Sequence, residues 1–275
     1  MNEQCPSGDG FGSVKHNADL SNLTFDPATL EDVCVHKVYD SIAEEFSSTR
    51  HSPWPGVVEF LQTFSSGAFG ADIGCGNGKY LLAAMERLSA PSTNQTNVVR
   101  LAPILALDRS VRLSQIVRER GFDVVVGDIL RLPYLAARLD FFLCIAVIHH
   151  LSTAERRLNA IRELARLLRP GGKGLIQVWA KEQRDPTNAE PAPYLRKNKQ
   201  RVAVGDQPQI TAEPVQNVCL PVHVSGTEFA SSDMLVPWKR KTTKTTPGTL
   251  ILYTQVQSVI NPELMNETLD NHWIR

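Results

Sequence analysis

Three aspartates stand at the ends of three successive apolar runs. Asp72 lies in Ala68–Ile73 just ahead of the turn Gly74-Cys75-Gly76-Asn77-Gly78, Asp108 closes Ile104-Leu105-Ala106-Leu107, and Asp128 follows Val124-Val125-Val126. A glycine-spaced turn between a strand and a helix lets the backbone come close to a ligand, because glycine accepts positive φ and has no Cβ. Gly74, Gly76 and Gly78 have that spacing. The acids then divide the polar parts of a nucleoside ligand: Asp72 accepts from an ammonium group, Asp108 takes a ribose diol, and Asp128, with Ile129 beside it, faces an adenine amine. All three point to the carboxyl edge of one sheet. The rival reading is that they are exposed turn carboxylates. The order G-x-G-x-G is tighter than the dinucleotide pattern G-x-G-x-x-G, and Lys79 is followed by Tyr80 rather than Ser or Thr, which excludes a P-loop. A sulfonium donor, S-adenosylmethionine, fits the set best.

Alternating strands and helices must position these groups. Val35, Val38, Tyr39, Ile42 and Phe46 recur at helical spacing, and Trp54, Val57, Val58, Leu61 and Phe64 form a second stripe after the break at Pro53 and Pro55. Strands are expected over Ala68–Ile73, Ile104–Leu107, Val124–Val126, Phe141–Ile148 and Gly174–Trp179. Ser152 and Glu155 predict a capping box for a helix whose buried stripe is Ala154, Leu158, Ile161, Ala165 and Leu168, and Pro170-Gly171-Gly172 stops it. The expected fold is α/β, a doubly wound, mostly parallel sheet. The expected organisation is a flexible leader over 1–28, a catalytic domain over 29–180, a polar insertion over 181–232, and a divergent segment over 233–275.

The chain has 275 residues, with 29 Lys and Arg against 29 Asp and Glu, so the formal net charge is zero. A polyanion site must therefore be local. Arg156, Arg157, Arg162, Arg166 and Arg169 read as a solvated, salt-bridged helix face, while Lys239, Arg240, Lys241 and Lys244 are better phosphate candidates. The five cysteines lack metal or disulfide spacing and read as reduced thiols in a cytosolic or nuclear protein, with no metal site. No run approaches the roughly 20 apolar residues of a membrane span.

The stretches VHKVYDSIAEEFSSTRHSPWP, ADIGCGNGKYL, AVIHHLSTAERR, LLRPGGKGLIQVWAKEQ and DMLVPWK resemble those of the eukaryotic tRNA wobble-uridine carboxymethyl methyltransferases, including the methyltransferase half of the animal AlkB-homologue enzymes. The resemblance implies a class I, Rossmann-like domain that takes S-adenosylmethionine and esterifies the carboxylate of 5-carboxymethyluridine in tRNA. It also implies a small zinc-binding activator subunit that adds a strand to a sheet edge. A carboxylate acceptor calls for positive groups, and the candidates are Arg50, His51, His149 and His150. Trp54 and Trp179 are candidate base-stacking residues, and Lys239 and Arg240 candidate phosphate contacts. Two readings stay open beside this one: a catalytically weak binding module, and a small-molecule methyltransferase of the same fold. The sequence departs from the family in the polar stretch Pro91–Arg100 and after Lys244, where the family's last two strands are not legible. A sheet without them loses an edge pair.

Overall fold

The computed structural model describes residues 26–89, 101–179, 220, 222–223, 229, 231–239 and 249–255. Most of the expected leader and of the polar insertion, all of Pro91–Arg100, and Arg240, Lys241 and Lys244 lie outside the described residues. The chain enters through helix α1 (Pro27–Glu31), one π turn (Asp32–His36) and helix α2 (Lys37–Thr49). Asp26 caps α1 by accepting from Thr29 N at 3.0 Å, and Pro27 supplies a first helical residue whose missing N–H needs no partner. Helix thus begins within the stretch expected to be leader.

Helix α3 (Pro55–Gln62), strand β1 (Gly70–Ile73), helix α4 (Lys79–Ser89), strand β2 (Leu105–Asp108), helix α5 (Val111–Glu119), strand β3 (Val125–Val126), strand β4 (Leu139–Ile145), helix α6 (Ala154–Leu167) and strand β5 (Leu168–Gln177) follow. The five strands pair in parallel in the order β3-β2-β1-β4-β5. This is the doubly wound sheet the sequence predicts. Strand β4 shows why its residues read as a continuous apolar run: successive side chains alternate faces, and both faces are covered. Phe142 and Cys144 join Ile73, Leu107 and α6's Leu164 on one side, while Phe141, Leu143 and Ile145 meet Val57, Leu61, Tyr80 and Ala84 of α3 and α4 on the other.

Several boundaries differ from expectation. Strand β4 stops at Ile145, since Ala146 turns to φ 59° and Ile148–His150 form a 3₁₀ turn. The cap of α6 is Thr153, whose hydroxyl accepts from Arg156 N at 3.2 Å. Ser152 points the other way, to Glu31. The buried row of α6 is Ala160, Leu164 and Leu167, while Ala154 and Ala165 are exposed. That row begins with Arg157, so counting apolar residues favoured its neighbour. Helix α6 ends at Leu167, ahead of Pro170, and strand β5 starts at Leu168 with a register shift against β4 around the Pro-Gly-Gly.

The chain also forms two strands the sequence did not reveal, β6 (Asp233–Lys239) and β7 (Thr249–Gln255), which pair antiparallel as a separate two-stranded sheet. Only β7 lies after Lys244, and among the described residues the pair does not extend the main sheet, which has five strands. The anchor of the pair is Tyr253, fully buried among Leu30, Cys34, Val35, Val38 and Ile42, a site where a side chain of this size contributes roughly 2–3 kcal/mol. The Tyr253 hydroxyl donates to Asp233 Oδ1 at 2.7 Å. Cys34, Cys75 and Cys144 are free and buried, and no helix among the described residues is long and apolar enough to cross a membrane.

Candidate functional site

The carboxyl ends of β1, β2, β3 and β4 open onto a cavity of about 210 Å³, walled on its other side by α2, the π turn and strand β6. The glycine turn forms its floor. Gly74 has φ 77° and its N–H donates to Leu107 O at 2.7 Å, so the turn is tied to β2. A Cβ on Gly74 would fall 2.3 Å from Val147 Cγ2. Gly74 and Gly76 line the cavity; Gly78 does not, because the missing Cβ there makes room for Val117 of α5.

Asp108 lines the cavity, with Oδ2 accepting from Gly76 N at 2.7 Å and Oδ1 from Ser110 N at 2.8 Å. Burial raises its carboxyl to about 6, against the opposing pull of these amides. Each oxygen keeps a lone pair for a hydroxyl. Asp128 and Ile129 line the same end, and Asp128 Oδ1 accepts from Leu130 N at 2.9 Å with Arg109 Nε 3.8 Å from Oδ2. Asp72 is different. It does not line the cavity, and both of its buried carboxyl oxygens lack a hydrogen-bond partner. Burial first, and then the charge of Asp108, push its carboxyl up to about 7. A buried carboxyl with no partner is costly unless a cation arrives to meet it.

The acceptor-side candidates separate. Arg50, Trp54, His149, His150 and Trp179 all line the cavity, whereas His51 is exposed and does not, because α2 ends at Thr49 and the chain turns outward. Arg50 holds its guanidinium 5.3 Å from the Trp238 ring centre, and its carbonyl accepts from Asn77 Nδ2 at 3.2 Å. Arg120 reinforces that link by donating to Asn77 O and Ser47 Oγ at 2.5 and 2.9 Å. The end of α2 is thereby fixed to the glycine turn.

The histidines are not positive groups, which corrects the sequence reading. His150 is buried, its Nδ1 donates to Tyr253 O at 2.8 Å, and its Nε2 accepts from Tyr39 Oη at 2.9 Å. Desolvation holds its pKa down to about 4. Both ring nitrogens are thus used to join α2, the 3₁₀ turn and β7. His149 is 1% exposed and lies edge-on to His150, and burial, then its neighbour, lower its pKa well below the ordinary value. Its Nδ1 accepts from Trp179 N at 3.3 Å, which makes Nε2 the N–H donor. His149 is a neutral donor in the cavity wall.

Sequence reasoning missed further wall residues, Trp238 and Lys79 among them. Trp238 arrives from β6 and sits 6.2 Å from Phe46, centre to centre. Lys79, used only to exclude a P-loop, places Nζ 5.1 Å from the Trp54 ring centre and 4.8 Å from that of Tyr80. Its position directly after the glycine turn was the available signal. Lys239 lies at the end of β6, with its side chain outside the described residues, as is all of Arg240. Of the arginines in this stretch, Arg156 and Arg166 of α6 pair with Glu31 and Glu163, and Arg169 at the start of β5 pairs with Asp140.

Known proteins share this arrangement of sequence. Residues 71–176 match the family model described as a methyltransferase domain. The chain is 41% identical over 247 residues to tRNA (carboxymethyluridine(34)-5-O)-methyltransferase ALKBH8 of Macaca fascicularis, covering 77% of this chain and 35% of that protein. It is 44% identical over 155 residues to the Schizosaccharomyces pombe tRNA (carboxymethyluridine(34)-5-O)-methyltransferase, covering 56% of this chain and 61% of that one. The chain spans about a third of the length of the animal relatives it matches. Among solved structures, a complex between the Haloferax volcanii Trm112 methyltransferase activator and a methyltransferase is similar at 20% identity and a TM-score of 0.39, over 50% of this chain and 58% of that one. With its parallel sheet, glycine turn and strand-end acids, the chain carries a class I methyltransferase domain, and its sequence is similar to the tRNA (carboxymethyluridine(34)-5-O)-methyltransferases.

Proposed function

We propose that this chain esterifies the carboxylate of 5-carboxymethyluridine at the wobble position of tRNA, with S-adenosylmethionine as methyl donor. The observation that carries the reading is one cavity that joins a nucleoside-type floor, Gly74, Gly76, Asp108, Asp128 and Ile129, to a wall of cations and tryptophans. The floor fits the donor: Asp108 retains acceptor capacity for a diol, and the unpartnered Asp72 beneath it favours an ammonium. When bound, the donor supplies a methyl group on a positively charged sulfur.

The residues of the wall do what a carboxylate acceptor needs. Such a group has a pKa near 4 and is already the nucleophile at pH 7, so no base has to remove a proton. The locked, neutral state of His149 and His150 agrees with that requirement. Arg50 attracts the anion, the His149 Nε2–H donates to it, and Trp54, Trp179 and Trp238 offer flat faces to the uracil ring. The anchoring of Arg50 to Asn77 sets the acceptor side relative to the glycine turn, and such orientation supplies roughly 7–11 kcal/mol in intramolecular reactions. The edge strand β3 leaves Val125 and Val126 exposed, which suits addition of a strand from a small activator subunit. The setting is the cytoplasm or nucleus.

The test is transfer of labelled methyl to tRNA carrying 5-carboxymethyluridine, with and without the activator subunit. Base-labile label in the wobble nucleoside is the expected result. Absence of incorporation under both conditions overturns the proposal.

A further inference from the structure

We infer that Lys79 and Arg50 together form a carboxylate-binding pair in the cavity, with Lys79 a member of the binding machinery and not a solvated lysine at a helix start. The inference rests on the methyl-transfer reading for the identity of the carboxylate, while the pair itself rests on geometry. Three Lys or Arg side chains line the cavity: Arg50, Lys79 and Arg109. Arg109 lies at the far end beside Asp128, 3.8 Å away. Of the acids in the wall, Glu31 is occupied by Arg156 and Ser152, and Asp108 by the amides of Gly76 and Ser110. Among the described residues neither Arg50 nor Lys79 has a salt-bridge partner, and both charged heads rest on aromatic rings, Trp238 for one and Trp54 with Tyr80 for the other.

Lys79 is half-buried, and desolvation followed by the positive charge of Arg50 lowers its pKa, against the opposing pull of the buried Asp72, which does not line the cavity. Two cations that repel each other on a largely apolar wall are stabilised by one anion placed between them. Lys79 also opens α4, an eleven-residue helix whose positive end adds to the same field. A carboxylate, with two oxygens to share between two donors, suits the site. Two carboxylates enter this cavity in the proposed reaction, that of the donor's amino-acid part and that of the acceptor.

Calorimetric titration of the full chain, parent and variants, separates them. The probes are S-adenosylhomocysteine, its decarboxylated analogue, and 5-carboxymethyluridine added to the S-adenosylhomocysteine complex. Lys79→Met is expected to weaken one carboxylate probe about tenfold or more, the loss of one charge-assisted hydrogen bond, with the decarboxylated analogue bound within about twofold of the parent. Lys79→Arg is expected to restore most of the affinity. Loss confined to S-adenosylhomocysteine assigns the pair to the donor, and loss confined to 5-carboxymethyluridine assigns it to the acceptor. Parent-like affinity of Lys79→Met for both carboxylate probes, or equal weakening of the decarboxylated analogue, overturns the inference. A parent chain that binds S-adenosylhomocysteine but methylates no tRNA defeats the proposed function alone, since the titrations still decide the pair.

Discussion

Replacing Gly74 with alanine tests the core of the site in one step, because two independent penalties meet at this residue. The backbone there has φ 77°, and an L-residue held in the left-handed region costs roughly 1–2 kcal/mol. The added methyl would also lie 2.3 Å from Val147 Cγ2, and forced repacking of that kind costs typically 1–3 kcal/mol. The chain cannot slide away easily, since Gly74 N–H and Cys75 N–H both donate to Leu107 O, at 2.7 and 3.0 Å. Gly74→Ala should therefore lower stability by about 2–5 kcal/mol, a large part of the 5–15 kcal/mol typical of a domain. Urea denaturation followed by tryptophan fluorescence measures it. Val147→Ala removes the colliding methyl, so in a double-mutant cycle the pair should show about 1–3 kcal/mol of favourable coupling, leaving the backbone strain behind. A Gly74→Ala chain within about 0.5 kcal/mol of the parent, or two single effects that add to within that margin, refutes the account of the turn.

Three further outcomes follow from the buried charges and rings. The His150 pKa is lowered to about 4 in the fold while the unfolded imidazole titrates near 6.5, so this residue removes stability as pH falls from 6.5 towards 4, by up to about 3 kcal/mol. His150→Gln should have a flatter stability profile over that range, and identical slopes for parent and variant would contradict the assignment. Asp72 has the opposite sign: its folded pKa is raised to about 7, so its ionised form destabilises the free protein above that pH. Asp72→Asn should be more stable than the parent at pH 8, with the gap closing as pH falls towards 4, and should bind S-adenosylhomocysteine at least about tenfold more weakly. A variant that is both less stable at pH 8 and normal in binding would defeat that role. Arg156→Met strands the buried Glu31 carboxylate, which Arg156 Nε and Nη2 contact at 2.8 and 2.6 Å, and should cost about 3 kcal/mol or more. Thermal unfolding of Arg156→Met beside the double variant with Glu31→Met, which should recover most of the loss, checks it.

What could be read from the residues alone was what the local backbone determines. Positive φ at Gly74, Gly76 and Gly78, the strand-end position of Asp108 and Asp128, and the alternation of strands with helices depend on neighbours within a few positions, and all are present in the fold. The resemblance likewise followed from contiguous stretches. What tertiary structure decided was which side chains share one space and what charge they carry there. Lys79, Arg50 and Trp238 are dispersed along the chain and meet only because β6 folds over the end of α2. His51, one residue from Arg50, faces away. His149 and His150 read as cations until burial and the bonds to Trp179, Tyr39 and Tyr253 make them neutral. Burial and electrostatic fields are sums over atoms distant in sequence, so the glycine turn could be found in a line of letters, and the ionisation states of the groups around it only in three dimensions.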